Sequence, residues 1–265
     1  FKEKKKTKAT EAIKNGLEPM AKIMMSFPVK GTIDELAQKF LNENVKTKEE
    51  AIQGAGYIIA EYISDNAYFR KWIRSFIYRT GMIACKKKKD ALDEEKTYEM
   101  YYEYSEAVKE VKPHRVLAIN RAESEKIISV LINIETKKVL EFLEEKVIKN
   151  KDSFVVPYEI SAIEDSYKRL IFPSVEREIR ADLTEKAEIV AIDNFSKNLE
   201  KLLLQPPMKD KMVLGFDPAY RTGCKLAVID YTGKKLDIKV IYPHEPKREY
   251  EKSKLIVLDL INKYN

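Results

Sequence analysis

The chain has 265 residues, of which 44% are hydrophobic and 35% are charged, so it can bury one or two cores and is not a disordered protein. Its 49 Lys and Arg residues against 43 Asp and Glu give a formal charge of +6, which makes nucleic acid a plausible partner. Its two cysteines lack metal-ligand spacing, and no apolar run is long enough to cross a bilayer. We therefore expect a cytoplasmic protein without disulfides, zinc or membrane contact. Because the first residue is Phe, we also expect a piece of a longer chain.

Helix starts are well marked in the first third of the chain. Thr32 and Thr47 are each followed three residues later by glutamate, the spacing of a capping box. The pattern after Thr47 predicts an amphipathic helix, and a second one is predicted from Asn66 to a C-cap at Gly81. This region is expected to be an array of short helices.

A lysine run and a group of tyrosines follow this helical array. Lys86–Lys89 could hold phosphates, and Tyr98, Tyr101, Tyr102 and Tyr104 could stack on bases. An acidic run at 93–95 lies between them and would repel a nucleic-acid backbone. We therefore favour a helix surface packed by tyrosines.

The middle of the chain contains no glycine and reads as helical. Pro113 suits the first turn of a helix, and Ser161 with a glutamate three residues later predicts a third capping box. The β-branched run 127–134 fits either a strand or a buried helix segment, and we favour the extended conformation. A long amphipathic helix is predicted over 175–204, and it ends before Pro206.

The composition changes after the two prolines at 206 and 207. Short apolar runs at 211–217, 224–229 and 236–242 predict three strands, the last two joined by a hairpin turn at 231–234. A helix is predicted over 252–264. A first strand that delivers an aspartate to its end, followed by a second strand, is how ribonuclease-H-like domains begin.

The predicted fold is therefore mainly α, a helical array followed by three antiparallel strands and a helix that begin a ribonuclease-H-like α/β domain. We divide the chain into an N-terminal helical region (1–112), a central helical region with a long linker helix (113–206), and the truncated start of the α/β domain (207–265).

Asp217 is the candidate metal-site acid, because it stands at the end of the first of these strands. A two-metal phosphoryl-transfer site needs several carboxylates, and Asp217 is one. Asp230 is better explained as a turn residue. We expect no cofactor, and magnesium only if further acids follow Asn265.

Basic side chains at two places are candidates for phosphate contact, and the two histidines are not. The candidates are Lys4, Lys5, Lys6, Lys8 and Arg221. For the lysines a solvated arm is the default explanation, and for Arg221 a surface ion pair is equally acceptable. His114 and His244 each stand beside a proline, where local hydrogen bonding explains them best.

Five ordered blocks of sequence resemble the Tex family of bacterial transcription accessory proteins, relatives of the eukaryotic Spt-type elongation factors. The blocks lie at 5–20, 101–106, 113–121, 173–178 and 217–244, the last containing Asp-Pro-Ala-Tyr-Arg-Thr-Gly. The resemblance implies a helical scaffold with a YqgF-type, ribonuclease-H-like domain. It also implies helix-hairpin-helix elements and a C-terminal OB-type RNA-binding domain, both outside this chain. Ala219 stands where the family usually has glycine.

Three functions compete at this point. The first is a non-catalytic scaffold that binds RNA or DNA without reading sequence and contacts the transcription machinery. The second is a metal-dependent, resolvase-type nuclease with Asp217 as a ligand and its other acids beyond residue 265. The third is a helical adaptor for protein partners. The resemblance favours the scaffold.

Overall fold

The structure, a computed structural model, describes residues 6–206 and 208–264. They form two compact units that meet in the sequence between Phe195 and Ser196, and each unit is described by itself. The predicted divisions after residues 112 and 206 stay predictions. No helix within the described ranges is long and apolar enough to cross a membrane.

Helices dominate the first unit. They are α1 (Lys8–Lys14), α2 (Glu18–Met24), α3 (Ile33–Gln38), α4 (Lys48–Ser64), α5 (Ala67–Thr80), α6 (Pro113–Ser124), α7 (Thr136–Val147), α8 (Val156–Asp165) and α9 (Phe172–Leu203), whose last turns lie past the end of this unit at Phe195. Two of the three predicted capping boxes are confirmed, since the hydroxyls of Thr32 and Thr47 accept from the backbone N–H three residues on and the two glutamate side chains accept from the backbone N–H of the threonines. Pro113 begins α6 as expected.

Helix α4 is the centre of the first core. It packs against α1, α2, α3, α5 and α8, and its Ala51, Ala55 and Ile59 are fully buried. Small alanines on this face let neighbouring helices approach closely, while Ile59 fills the space between them. On α5, Trp72 stacks on Phe142 of α7 with ring centroids 3.7 Å apart.

Gly81 ends α5 as predicted, although not in the left-handed conformation that usually makes glycine the C-cap. Its φ is −71° and its ψ is 150°, which is extended backbone. The absence of a side chain matters for a different reason, because a Cβ there would lie 2.5 Å from the carbonyl oxygen of Ile77. The chain therefore enters the following strand without a clash.

A small antiparallel sheet interrupts the helices of the first unit. Its strands are β1 (Met82–Lys87), β2 (Glu103–Ala107) and β3 (Ile128–Asn133), in the order β2-β1-β3. The extended prediction for 127–134 is confirmed by β3. The tyrosine-packed helix is wrong, because the tyrosines occupy a short 3₁₀ turn (Glu99–Tyr101), its flanks and β2.

One helical run continues from α8 into α9 through a π-helical segment, Ser166–Ile171. The predicted capping box at Ser161 is wrong, because α8 already begins at Val156 and Ser161 lies inside it. Pro157 in the first turn marks the true start, a position where proline loses no hydrogen bond. The predicted long helix is confirmed, and it ends at Leu203 before the prolines.

The second unit contains the predicted three antiparallel strands and helix. The elements are β4 (Val213–Asp217), β5 (Cys224–Ile229), β6 (Lys235–Ile241) and α10 (Tyr250–Tyr264), with strand order β4-β5-β6. Alternate residues of β5, Cys224, Leu226 and Val228, are buried and pack with Leu260 of α10. This period of two fixes which face of the sheet meets the helix.

Candidate nucleic-acid interface

The predicted lysine contacts of the N-terminal segment are only partly within the described residues. Lys4 and Lys5 lie outside them, whereas Lys6 and Lys8 are exposed. Lys8 is the first residue of α1, and its Nζ lies 3.3 Å from the hydroxyl of Tyr57 and 4.7 Å from the centre of that ring. The structure thus gives Lys8 an aromatic neighbour on α4.

Tyr57 is also approached by a second cation, Arg169 in the π-helical segment. The guanidinium carbon of Arg169 lies 5.3 Å from the ring centre, and its Nε and Nη2 bind both oxygens of Asp165 at 2.5–3.1 Å. The hydrogen bonds to Asp165 raise the pKa of Arg169 further above its ordinary value. Arg169 is therefore engaged, and Lys8 is the cation here that a phosphate could reach.

The tyrosines at 98–104 are used by the fold and are not a base-stacking surface. Tyr98 and Tyr101 are buried, and Tyr102 donates from its hydroxyl to Asp93 Oδ2 at 2.8 Å. The hydroxyl of Tyr104 donates to Glu106, and burial together with that carboxylate raises the pKa of Tyr104 to about 12. Their rings and hydroxyls are occupied within the first unit.

Asp217 and Arg221 stand at one end of the β4-β5-β6 sheet. Asp217 is the last residue of β4, is exposed, and lies opposite Lys225 in the register. Arg221 follows in the turn, is exposed, and makes no hydrogen bond or ion pair with any residue that the structure describes. Among the described residues, Arg221 therefore does not form the surface ion pair that the sequence analysis considered.

The turn after β4 lies beside the segment that follows β6. Cys224 pairs with Ile241, so Gly223 and Tyr242 are neighbours, and a Cβ on Gly223 would lie 2.5 Å from the Tyr242 ring. Gly223 has a φ of +82°, a conformation that strains any side-chain-bearing residue. Glycine is therefore required here both by backbone conformation and by ring contact.

Aromatic and basic side chains gather at this end of the sheet. The ring centres of Tyr220 and His244 are 5.2 Å apart, and the Nζ of Lys247 lies 3.6 Å from the centre of the Tyr242 ring. Together with Arg221 these four residues are here named the strand-end cluster. His244 was missed by sequence reasoning, because nothing local to its proline indicates a partner more than twenty residues earlier.

Asp217 does not belong to a larger metal-binding group within the described residues. Among them, no group of three or more His, Cys, Asp or Glu side chains could hold a metal ion. Asp230 at the other end of β5 accepts from Thr232 and the backbone of Lys234, which lowers its pKa and confirms it as a turn residue.

Comparison with known families assigns both parts of the chain. Residues 30–195 match the model described as Tex central region-like, and residues 211–265 match the Tex protein YqgF-like domain. This chain belongs to the Tex family. The expected family, helical body and start of a ribonuclease-H-like domain are thereby confirmed.

Several Tex-family relatives align along nearly the whole chain. YdcI of Bacillus subtilis is 52% identical over 97% of the chain, which covers 37% of that protein. The transcriptional accessory protein Tex of Neisseria gonorrhoeae is 30% identical over 92% of the chain, covering 33% of its length. The human S1 RNA-binding domain-containing protein 1 is 32% identical over 96%, covering 27%. The chain thus spans about a third of the length of these relatives.

Proposed function

We propose that this chain is part of a transcription accessory protein that binds nucleic acid as a scaffold, through phosphate contacts that do not depend on sequence. The names of two relatives support this proposal. The Neisseria gonorrhoeae relative is named a transcriptional accessory protein, and the human relative is named for an S1 RNA-binding domain. The proposed setting is the cytoplasm, with the transcription machinery as the protein partner.

The observation that carries the proposal is the unpaired guanidinium of Arg221 in the strand-end cluster. An exposed arginine without a competing carboxylate is free to bind a phosphate through two parallel hydrogen bonds. Tyr220 beside it is 74% exposed, and an exposed aromatic face allows a base to stack whatever its identity. The cluster thus combines a phosphate contact with a stacking surface.

Lys6 and Lys8 are proposed to supply further phosphate contacts in the first unit. Both are exposed. Lys8 contacts the hydroxyl and the ring of Tyr57 and forms no ion pair with a carboxylate among the described residues. Contacts of this kind add affinity and fix orientation, but they carry no sequence information. They extend the same sequence-independent mode of binding.

The proposed scaffold needs no bond-breaking group. Within the described ranges no group of three or more His, Cys, Asp or Glu side chains could hold a metal ion, and phosphoryl transfer by two metals needs several carboxylates at one site. We therefore propose that binding and positioning, rather than cleavage, are the contribution of this part of the protein.

The test is fluorescence anisotropy of labelled single-stranded RNA and double-stranded DNA with the chain, over a series of salt concentrations. Arg221→Ala and Lys8→Ala are compared with Lys71→Ala, which removes an exposed lysine of α5 outside the proposed contacts. The slope of log affinity against log salt concentration is negative. For a single strand, each lost phosphate contact is expected to make it shallower by about 0.7. The control is expected to leave the slope unchanged.

A parallel sample with magnesium, examined on a denaturing gel, tests the scaffold mode. Intact RNA and DNA after prolonged incubation agree with binding alone, and magnesium-dependent shortening would overturn the non-catalytic proposal. Absence of binding at low salt, together with capture of a protein partner that is insensitive to salt, would favour the adaptor.

A further inference from the structure

A cavity of about 140 Å³ opens on the first unit where α2, α4, α5, α7 and α8 meet. Its walls are apolar and partly aromatic, formed by Met25, Phe27, Ile59, Ile63, Phe69 and Val147. Exposed side chains, Tyr62, Asn66, Lys146 and Lys149, stand at its mouth. The cavity is thus apolar inside, and of the two lysines at its entrance Lys146 is paired with Glu145 at 2.9 Å.

Glu159 of α8 lines this cavity and is fully buried. Neither carboxyl oxygen has a hydrogen-bond partner among the residues that the structure describes. Burying a polar group without a partner is costly, so proteins keep such groups where a ligand or water completes them. Burial raises the pKa of Glu159 to about 7, so the carboxyl carries a proton for much of the time at neutral pH.

Phe27 adds a second unusual feature to the same wall. Its φ is 56°, a left-handed conformation that is rare for a bulky residue, and its side chain is buried. Strained backbone of this kind persists where the surrounding structure holds it, often beside ligands. The strain places an aromatic ring in the wall of a cavity that also contains an unpartnered acid.

We propose that this cavity binds one unstacked pyrimidine base of a single-stranded nucleic acid, with Glu159 hydrogen-bonded to the polar edge of the base and Lys149 beside its phosphate. The inference rests on the proposed function and names a site for it. It lies in the first unit and involves none of the residues of the strand-end cluster.

Size and chemistry favour a pyrimidine over other occupants. An apolar cavity of about 150 Å³ holds benzene, so one six-membered ring fits and a two-ring purine is too large. Pyrimidine edges place a donor beside an acceptor, which a protonated carboxyl group matches by accepting and donating at once. Lys149 at the mouth disfavours a cationic ligand and attracts a phosphate, whereas Lys146 is already paired with Glu145.

The experiment compares two labelled single strands of ten units, oligocytidylate and an abasic strand with the same phosphates. Each is titrated with the wild-type chain, Glu159→Leu, Lys149→Ala and the control Lys71→Ala, with folding checked by circular dichroism. The wild type is expected to bind oligocytidylate about tenfold more tightly than the abasic strand, the effect of about one hydrogen-bonded contact. Glu159→Leu, which can neither donate nor accept, is expected to remove most of that preference, and Lys71→Ala to keep it.

A calorimetric titration with cytidine monophosphate separates failure of the site from failure of the proposed function. Equal, salt-dependent binding of both strands, or a preference that Glu159→Leu leaves intact, would overturn the base site and leave the scaffold standing. Binding of the mononucleotide without binding of either strand would support the site and contradict the scaffold. Binding of phenol but not of the mononucleotide would overturn the assignment in favour of another small aromatic ligand.

Discussion

Glu159→Gln removes a carboxyl group that folding buries without a hydrogen-bond partner. In the unfolded chain this carboxyl has its ordinary pKa of 4.5, and in the folded chain burial raises the pKa to about 7. Between these two values the folded state retains a proton that the unfolded state has released. The stability that this group contributes is therefore present below pH 4.5 and is lost as pH rises through 7.

The magnitude follows from the size of the pKa change. Each pKa unit corresponds to about 1.4 kcal/mol, so the free energy of unfolding should fall by about 2.5 kcal/mol between pH 5 and pH 8 because of Glu159. Glutamine does not titrate, although it keeps a buried polar group whose cost is independent of pH. The stability difference between variant and wild type should therefore change by about 2.5 kcal/mol in favour of glutamine over that range.

Urea unfolding followed by tryptophan fluorescence at several pH values measures this difference. Trp72 is the single tryptophan and lies in the first unit, so its emission reports on the unit that holds Glu159. Glu164→Gln is the matched control, because Glu164 lies on the same helix and pairs with Lys168 at the surface. Curves for wild type and Glu159→Gln that stay parallel from pH 5 to pH 8 would refute the reasoning.

Three further substitutions test the fold, each by thermal or chemical unfolding. Gly223→Ala should destabilise the second unit by about 2 kcal/mol or more, because φ is +82° and the new Cβ would meet the Tyr242 ring. Gly233→Ala, at a φ of +84° with open space around it, should cost about 1 kcal/mol, and equal costs at the two sites would contradict the ring contact. Thr47→Ala should cost the first unit about 1 kcal/mol through loss of the α4 cap, and an unchanged midpoint would contradict that role.

Local signals in the sequence were sufficient for much of the fold. The capping boxes at Thr32 and Thr47 act within one turn of helix, and the hairpin at 231–234 is closed by the side chain of Asp230 and by a left-handed glycine. The alternation of apolar residues along Cys224–Ile229 predicts a strand with one buried face. These features depend on residues only a few positions apart, so the chain itself displays them.

The small sheet of the first unit was not predictable in the same way. The strand Glu103–Ala107 contains two glutamates and an alanine, which have little preference for strands, and Met82–Lys87 ends in lysines. Their conformation comes from pairing around β1, which pairs with β2 on one side and, on the other, with β3, whose apolar residues lie more than forty positions after β1. Pairing across that distance overrides local preference.

In the candidate site, too, some features could be predicted from nearby residues and others depend on distant pairing. The exposed position of Arg221 could be read from its turn, but the contact of Tyr220 with His244 depends on the register of β5 against β6. For Glu159 a signal existed and was overlooked. Glu159 stands at helical spacing with Ala162, Ile163 and Ser166, all buried, so an acid occupied the apolar stripe of α8.

The central claim is that this chain binds nucleic acid through phosphate contacts, and its salt dependence tests that most directly. The measurement is the affinity of the chain for labelled single-stranded RNA between about 50 and 200 mM salt. The account predicts a log–log slope that is clearly negative and that becomes shallower by about 0.7 in Arg221→Ala. No binding at the lowest salt, or an affinity that does not change with salt, would contradict it.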